Sequence, residues 1–423
     1  MNESVPNETV AALISAANLC WTQPAQASLV KRGTTASDGQ RVLGEFLLIP
    51  SARRPRLLVP AGRPAAAAES VRRFSQALSW PERVLRTVLS AGLRSGALDA
   101  AVPDRLRVTV PTEDEHLVDS LQDEVSRLLG EPVLLSLGVG TPRANRKPVL
   151  QAISRRGRAL AFVKLADTDV TRGLLVAEAH ALTQLAARPP AGLLIPRLIH
   201  LGPWNGIDLL IQSALHTPPW LTHSRSSAPH AAMRSLLSAF DAGHRPVTGS
   251  AGWQRLVDAP KELTDAARSE RFTAVIEACA VRLDGRELRH SAWHGDWTPW
   301  NMAWVRDEVR IWDWERFAED VPAGLDALHY ALAPLAMGTD WDSALRRLHQ
   351  DAGRVLAPLE IPATDAESVF LMYLLDLGRR YLLAAQPEVG RPLRHRADGL
   401  LRYLSTMTGT AATQAPLPDW RMT

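Results

Sequence analysis

The segment His294-Gly295-Asp296-Trp297-Thr298-Pro299-Trp300-Asn301 sets a carboxylate and a carboxamide five residues apart, and Ile311-Trp312-Asp313-Trp314-Glu315 follows it. Phosphoryl transfer asks little covalent chemistry of a protein. It needs metal ions bridging phosphate oxygens and a carboxylate that orients the attacking hydroxyl. Asp296 fits the orienting base, and Asn301 fits a metal ligand. Asp313 closes a short apolar run, residues 309–312, so its carboxylate is expected to project from a strand end as the second ligand. Oxygen donors of this kind suit magnesium, which keeps some of its waters.

The two motifs resemble those of the aminoglycoside phosphotransferase and choline kinase family, in which His-Gly-Asp replaces the His-Arg-Asp of protein kinases and Asp-x-Glu often closes the metal motif. Both halves occur here in order, Asp313 standing twelve residues after Asn301. The resemblance covers residues 133–330, continues weakly through the C-terminal helices and does not reach the first 130 residues. It implies an α+β, protein-kinase-like bilobal fold with a strand-rich small lobe and a helical large lobe, to which an additional N-terminal α/β region is joined. It also implies ATP and Mg2+ as cofactors.

The same resemblance calls for a lysine on the third small-lobe strand and a glutamate on the following helix. Lys164, in Ala161-Phe162-Val163-Lys164, stands at the first place and is expected to bind the α- and β-phosphates. Glu178, fourteen residues on, stands at the second and is expected to hold Lys164 by an ion pair. The phosphate-covering loop is poor in glycine after Gly138 and Gly140, which leaves backbone N–H groups and the side chains of Thr141 and Asn145 as phosphate contacts. Adenine is expected against the linker after Gln212, read by backbone groups of Ser213 to Leu215. Asp326 is a candidate buttress for the catalytic loop or an ordinary helix-start carboxylate. His329 is expected to pack or hydrogen-bond rather than catalyse.

Gly295 removes the arginine that pairs with a phosphorylated activation loop in many protein kinases. No Ala-Pro-Glu follows Asp313, and Pro322 comes nine residues after it, so a long activation segment has no room. The expected reaction is therefore transfer of the ATP γ-phosphate to a hydroxyl of a small polar molecule: a sugar, an amino sugar or a glycosylated antibiotic. Glu319 and Asp320 are candidates for attracting a cationic acceptor, so antibiotic resistance and sugar metabolism both stay open. Trp297 and Trp300 are candidates for a wall of the acceptor site, against ordinary core packing. The competing readings are a nucleotide-binding pseudokinase with a scaffolding role and, behind it, a protein kinase.

Elements must bring these groups together. Apolar runs predict strands at residues 44–49, 56–59, 106–110, 132–137, 148–154, 159–165 and 209–212, with a hairpin connection at 51–55 and a tight turn at 155–158. Residues 65–93 favour helices interrupted at Pro81. Thr112 and Glu115 form a capping box for a helix stopped by Gly130. Thr171 is expected to cap a helix that carries Leu174, Leu175, Glu178, Leu182 and Leu185 near one face. Further helices are predicted over 231–240, 261–283, 341–356 and 366–385, the last with a Thr364/Glu367 capping box. The expected organisation is an accessory region 1–130 of unassigned role, a small lobe 131–215, a large lobe 216–408 and a tail 409–423.

Composition sets the outer bounds. The chain has 423 residues, 46% of them hydrophobic and 22% charged, as in a folded soluble protein. A net charge of +3 without a dense basic run gives no reason to expect a nucleic-acid partner. Cys20 and Cys279 match no metal spacing and read as two independent thiols. Neither a membrane-spanning run nor a secretory signal is visible, so a cytoplasmic enzyme with a small-molecule acceptor and no membrane partner is expected.

Overall fold

The computed structural model describes residues 8–51, 55–72, 79–138, 147–218, 221–223, 227–338 and 340–410. The chain divides into two compact units.

The first unit takes in residues 1–141, 146–179 and 196–222. Its strands are β1 (Gln26–Lys31), β2 (Gln40–Ile49), β3 (Leu57–Pro60), β4 (Asp104–Pro111), β5 (Val133–Gly138), β6 (Val149–Ser154) and β7 (Ala159–Ala166). After the two-residue β8 (Leu193–Leu194), which belongs to the second unit, come β9 (Leu198–Trp204) and β10 (Ile207–Ser213). Nine of these form one antiparallel sheet in the order β1-β4-β2-β3-β5-β6-β7-β10-β9. The turn between β6 and β7 needs its glycine. Gly157 has φ +77°, and a Cβ there would lie 2.6 Å from the Ala65 carbonyl oxygen.

The described residues of the accessory region 1–130 share one unit with the strands that follow them. β3 pairs with β5 through Leu57↔Gly138 and Leu58↔Leu137, so the N-terminal strands extend the sheet that carries Lys164. One core joins Leu48, Leu58 and Leu106 to Leu135, Leu150 and Val163. The reason is the open edge of β5, whose unpaired backbone groups are capped by β3 instead of facing water.

Helix starts differ from the expected ones for local reasons. Thr112–Leu117 is a 3-10 segment with no apolar stripe, and the α-helix begins at Leu121, where the Ser120 hydroxyl accepts from the Asp123 N–H at 3.1 Å. Pro81 opens the helix Trp80–Arg94, in whose first turn its missing N–H costs nothing. The helix Asp169–Ala187 starts ahead of Thr171, and the Thr168 and Thr171 hydroxyls accept from each other's backbone N–H. The helix expected from 261 begins at Ala266, capped by Asp265. Glu367 bonds His349 at 2.7 Å instead of closing a box with Thr364.

Among the described residues, the second unit takes in those of 180–195 and 223–410. The strand Glu287–Trp293 lies between Gly243–Pro246 and Ala318–Pro322, antiparallel to both. Met302–Val305 and Glu308–Ile311 form a hairpin, with β8 parallel to the second strand. Helices supply the rest of the unit. Ala366–Ala385 is its buried axis, with Val369 through Leu375 all inside the core, and a helix apolar on every side is stable only in such a place. Cys20 and Cys279 are buried free thiols, and burial pushes each up to about 12. Among the described residues no helix is long and apolar enough to cross a membrane.

Candidate active site

The buried strand Glu287–Trp293 delivers the chain into His294-Gly295-Asp296. Two groups from elsewhere in the second unit hold that turn. Asp326, in the first turn of the helix Leu325–Gly338, accepts from the His294 N–H at 2.7 Å and the Gly295 N–H at 3.1 Å. Burial pushes its carboxyl up to about 7, with the two N–H groups working against that rise. Asp326 is thus the loop buttress and not merely a helix-start charge. Arg380 donates from Nη1 to the Gly295 carbonyl. Gly295 has φ +83°, and a Cβ there would sit 2.3 Å from the Arg316 carbonyl oxygen, so only glycine fits the turn.

His294 is a strut. Its Nδ1 accepts from the Asp296 N–H at 3.1 Å, which leaves the proton on Nε2 to be donated to the Trp312 carbonyl at 3.0 Å. Burial drives the imidazole down to about 4, so the neutral ring these bonds need is the form present at neutral pH. The Trp312 N–H in turn donates to the Asn301 carbonyl at 3.1 Å. Asp296, Asn301 and Asp313 therefore share one framework.

Asp296 remains reachable, with 31% of its side chain exposed. Its Oδ1 accepts from His329 Nε2 at 3.0 Å and its Oδ2 from Asn301 Nδ2 at 2.9 Å. Burial alone would raise this carboxyl, but the His329 hydrogen bond and the charges of His329 and Arg380 outweigh it and hold the group below the usual carboxylate range. Behind His329, the Tyr373 hydroxyl lies 3.1 Å from Nδ1. Sequence reasoning took His329 as a packing or hydrogen-bonding residue and missed its partner. The alternation of the helix Leu325–Gly338 gave no hint that its one histidine faces Asp296.

Magnesium suits the donors present. Asn301 spends its Nδ2 on the Asp296 carboxylate and carbonyl, so Oδ1 is the atom it would offer a metal ion. Asp313 sits after the strand Glu308–Ile311 in the left-handed region at φ +72°, a conformation aspartate tolerates better than most residues. Carboxylate oxygens of Asp313 and Glu315 lie within 4.8 Å of each other. All these donors are hard oxygens, as magnesium requires.

Other loop candidates divide. Trp297 is wholly buried, with Nε1 3.4 Å from Met302 Sδ, and cannot be an acceptor wall. Trp300 is 41% exposed and can. Glu319 pairs with Arg188 and Asp320 with Arg245, each at 2.7 Å, so neither is a free attractor for a cation.

In the first unit, Lys164 and Glu178 meet. The Lys164 ammonium lies 2.7 and 2.6 Å from the two Glu178 oxygens, both side chains being buried. Period-2 alternation sends Val163 and Leu165 to the main core, while Ala166 and Leu210 pack against Leu175 and Ala179 of the helix that carries Glu178. Removing one member of a buried pair strands the other charge, at about 3–5 kcal/mol.

Thr141 and Asn145 lie outside the described residues. At the linker, the Ser213 N–H donates to the Arg197 carbonyl at 2.9 Å and its hydroxyl accepts from the Arg197 N–H at 2.8 Å. The Ala214 N–H donates to Leu160. The Leu215 N–H has no backbone partner among the described residues. Gln212, buried on the same sheet face as Lys164, has an Oε1 without a partner among the described residues, a feature no periodicity in the sequence announces.

A Lys–Glu pair between a central strand and the next helix, and a His-Gly-Asp loop strapped to a later helix, define the protein-kinase-like α+β fold. The chain is similar to several solved structures at low identity. Aminoglycoside phosphotransferase APH(4)-Ia is 12% identical, with 67% of this chain and 97% of that one covered and a TM-score of 0.44. A Haemophilus somnus protein described as a fructosamine-3-kinase is 15% identical over 67% of this chain and 96% of its own, with a TM-score of 0.38. Aminoglycoside phosphotransferase APH(3'')-Id from Streptomyces rimosus, solved with ADP and streptomycin, is 16% identical over 54% and 89%, with a TM-score of 0.35. No protein-family model matches the sequence, and no curated protein matches it.

Proposed function

We propose that this protein is an ATP-dependent phosphotransferase that moves the γ-phosphate to a hydroxyl of a small polar molecule of the sugar, amino-sugar or glycosylated-antibiotic kind. The observation that carries the proposal is Asp296, an ionised, accessible carboxylate with both oxygens held and its loop tied to Asp326 and His294.

The acceptor oxygen attacks the γ-phosphorus, the bond from that phosphorus to the β,γ-bridging oxygen breaks, and a phosphate monoester and ADP result. Asp296 accepts a hydrogen bond from the attacking hydroxyl and takes its proton as the new P–O bond forms. A carboxylate held this low is a weak base, so orienting the oxygen is its larger contribution. Asn301 and Asp313 would hold magnesium, with Glu315 beside them; the ion supplies charge neutralisation at the phosphate oxygens. Lys164, fixed by Glu178, would offer its ammonium to the α- and β-phosphates, and the Leu215 N–H would read adenine.

The test is a mass-spectrometric screen of sugars, aminoglycosides, nucleoside antibiotics and choline with ATP and magnesium, looking for an added phosphate. Asp296→Ala should lower turnover by about 100-fold or more while ATP affinity changes little. Near-normal turnover in that variant would remove Asp296 as the base. Nucleotide binding with no transfer to any acceptor would favour a pseudokinase.

A further inference from the structure

Four arginines gather on the large-unit side of the catalytic loop. Arg379 and Arg380 lie on the helix Ala366–Ala385, Arg316 ends the short turn after Asp313, and Arg255 is on the helix Ala251–Asp258. Two of them touch the residue next to the base: Arg380 bonds the Gly295 carbonyl, and the Arg316 backbone and Cβ are what Gly295 packs against. Arg316 feels the charges of Arg380, Glu315, Asp296 and Arg379, and Arg255 those of Asp376 and Arg379.

Among the described residues these guanidinium groups make few hydrogen bonds: Arg380 has the Gly295 carbonyl, and the buried Asp376 Oδ2 beside them is itself unbonded. Arg379 approaches Asp376 only to 3.5 Å, Arg380 approaches it to 3.9 Å, and Arg316 approaches Glu315 to 3.8 Å, all too long for good hydrogen bonds. The buried Arg379 Nε has no hydrogen-bond partner among the described residues. Asp320, the remaining carboxylate near Arg255, is already committed to Arg245 and to the Ala251 N–H. Four positive charges thus face Asp376 and Glu315 beside a partly exposed base. Partly buried guanidinium forks with vacant donors are the usual means of gripping an oxyanion, and they repel ammonium groups.

We infer that the acceptor carries an oxyanion, a phosphate or a carboxylate, held by Arg316 and Arg379 with Arg255 behind them while its hydroxyl meets Asp296. This rests on the phosphotransfer reading and narrows its acceptor to anionic polyols, away from polycationic aminoglycosides. Glu319 and Asp320, which would otherwise argue for a cation, are neutralised by their own arginines.

Calorimetric titration of the full chain, saturated with magnesium and AMP-PNP so that the nucleotide site is filled, tests it with four probes: glucose, glucosamine, glucose 6-phosphate and glucuronate. At least one anionic probe should bind about tenfold or more tightly than glucose and glucosamine, and which one does so distinguishes phosphate from carboxylate. Arg316→Gln and Arg379→Gln should each abolish that preference. Arg289→Gln, whose guanidinium pairs with Asp241, should keep it. No preference among the four, or tighter binding of glucosamine, overturns the inference. A preference that survives both Arg316→Gln and Arg379→Gln overturns the assignment of those residues. ATP hydrolysis and binding, measured on the same preparation without AMP-PNP, separate the two levels: their absence defeats the phosphotransfer reading, whereas normal nucleotide turnover without anion preference defeats only the acceptor class.

Discussion

A carboxylate that serves a phosphoryl acceptor must be ionised, aimed and reachable at once. Asp296 meets the first two demands through neighbours: His329 and Asn301 each take one oxygen, and their donated protons keep the charge on the carboxylate. Aim is the more demanding property, because a small displacement of the oxygen costs far more rate than binding. His329→Ala is accordingly expected to lower kcat about 10–100-fold with little change in the KM for ATP. His329→Gln, which can still donate to Oδ1, should recover part of it. Steady-state kinetics on the three proteins check this, and equal losses in both variants would rule out the hydrogen bond as the cause. Gly295 works at the same scale by a steric route, since no side chain fits beside the Arg316 carbonyl.

At the scale of elements, the loop is strapped by two buried titratable groups whose pH responses oppose each other. His294 falls from 6.5 to about 4 on folding, so the folded chain binds fewer protons and stability rises with pH across that window. Asp326 rises from 3.8 to about 7, so the folded chain keeps a proton the unfolded chain has lost, and stability falls as pH climbs through that range. The two slopes, each at most about 1.4 kcal/mol per pH unit, largely cancel. Asp326→Asn removes the falling arm. Urea denaturation from pH 4 to pH 7 should show the variant gaining stability relative to the parent as pH rises; a difference independent of pH would show that Asp326 does not hold a shifted proton.

At the scale of the molecule, the N-terminal strands belong to the sheet that carries the Lys164–Glu178 pair. A chain starting at residue 131 would expose the β5 edge and lose Leu48, Leu58 and Leu106 from the core. Such a fragment is expected to be insoluble or to melt without a cooperative transition, as seen by gel filtration and circular dichroism. A monomeric, cooperatively melting fragment would make the extension dispensable.

The candidate groups could be proposed from the sequence alone. Their types and spacings are set by the chemistry of one loop and one strand end, which is why Asp296, Asn301 and Asp313 could be singled out together, with Lys164 and Glu178 added as what the family resemblance implies. Local apolar runs likewise marked most strands. Helix starts were not legible, since Ser120 and Thr112 are equally good caps on paper and only the packing of the following helix chooses. Three further features were decided by tertiary structure alone: His329 on the base, Arg380 on the loop carbonyl 85 residues away, and the fusion of the N-terminal strands into one sheet. Each is a contact between distant segments, fixed by which faces pack together, and a pattern read along the chain carries no trace of that.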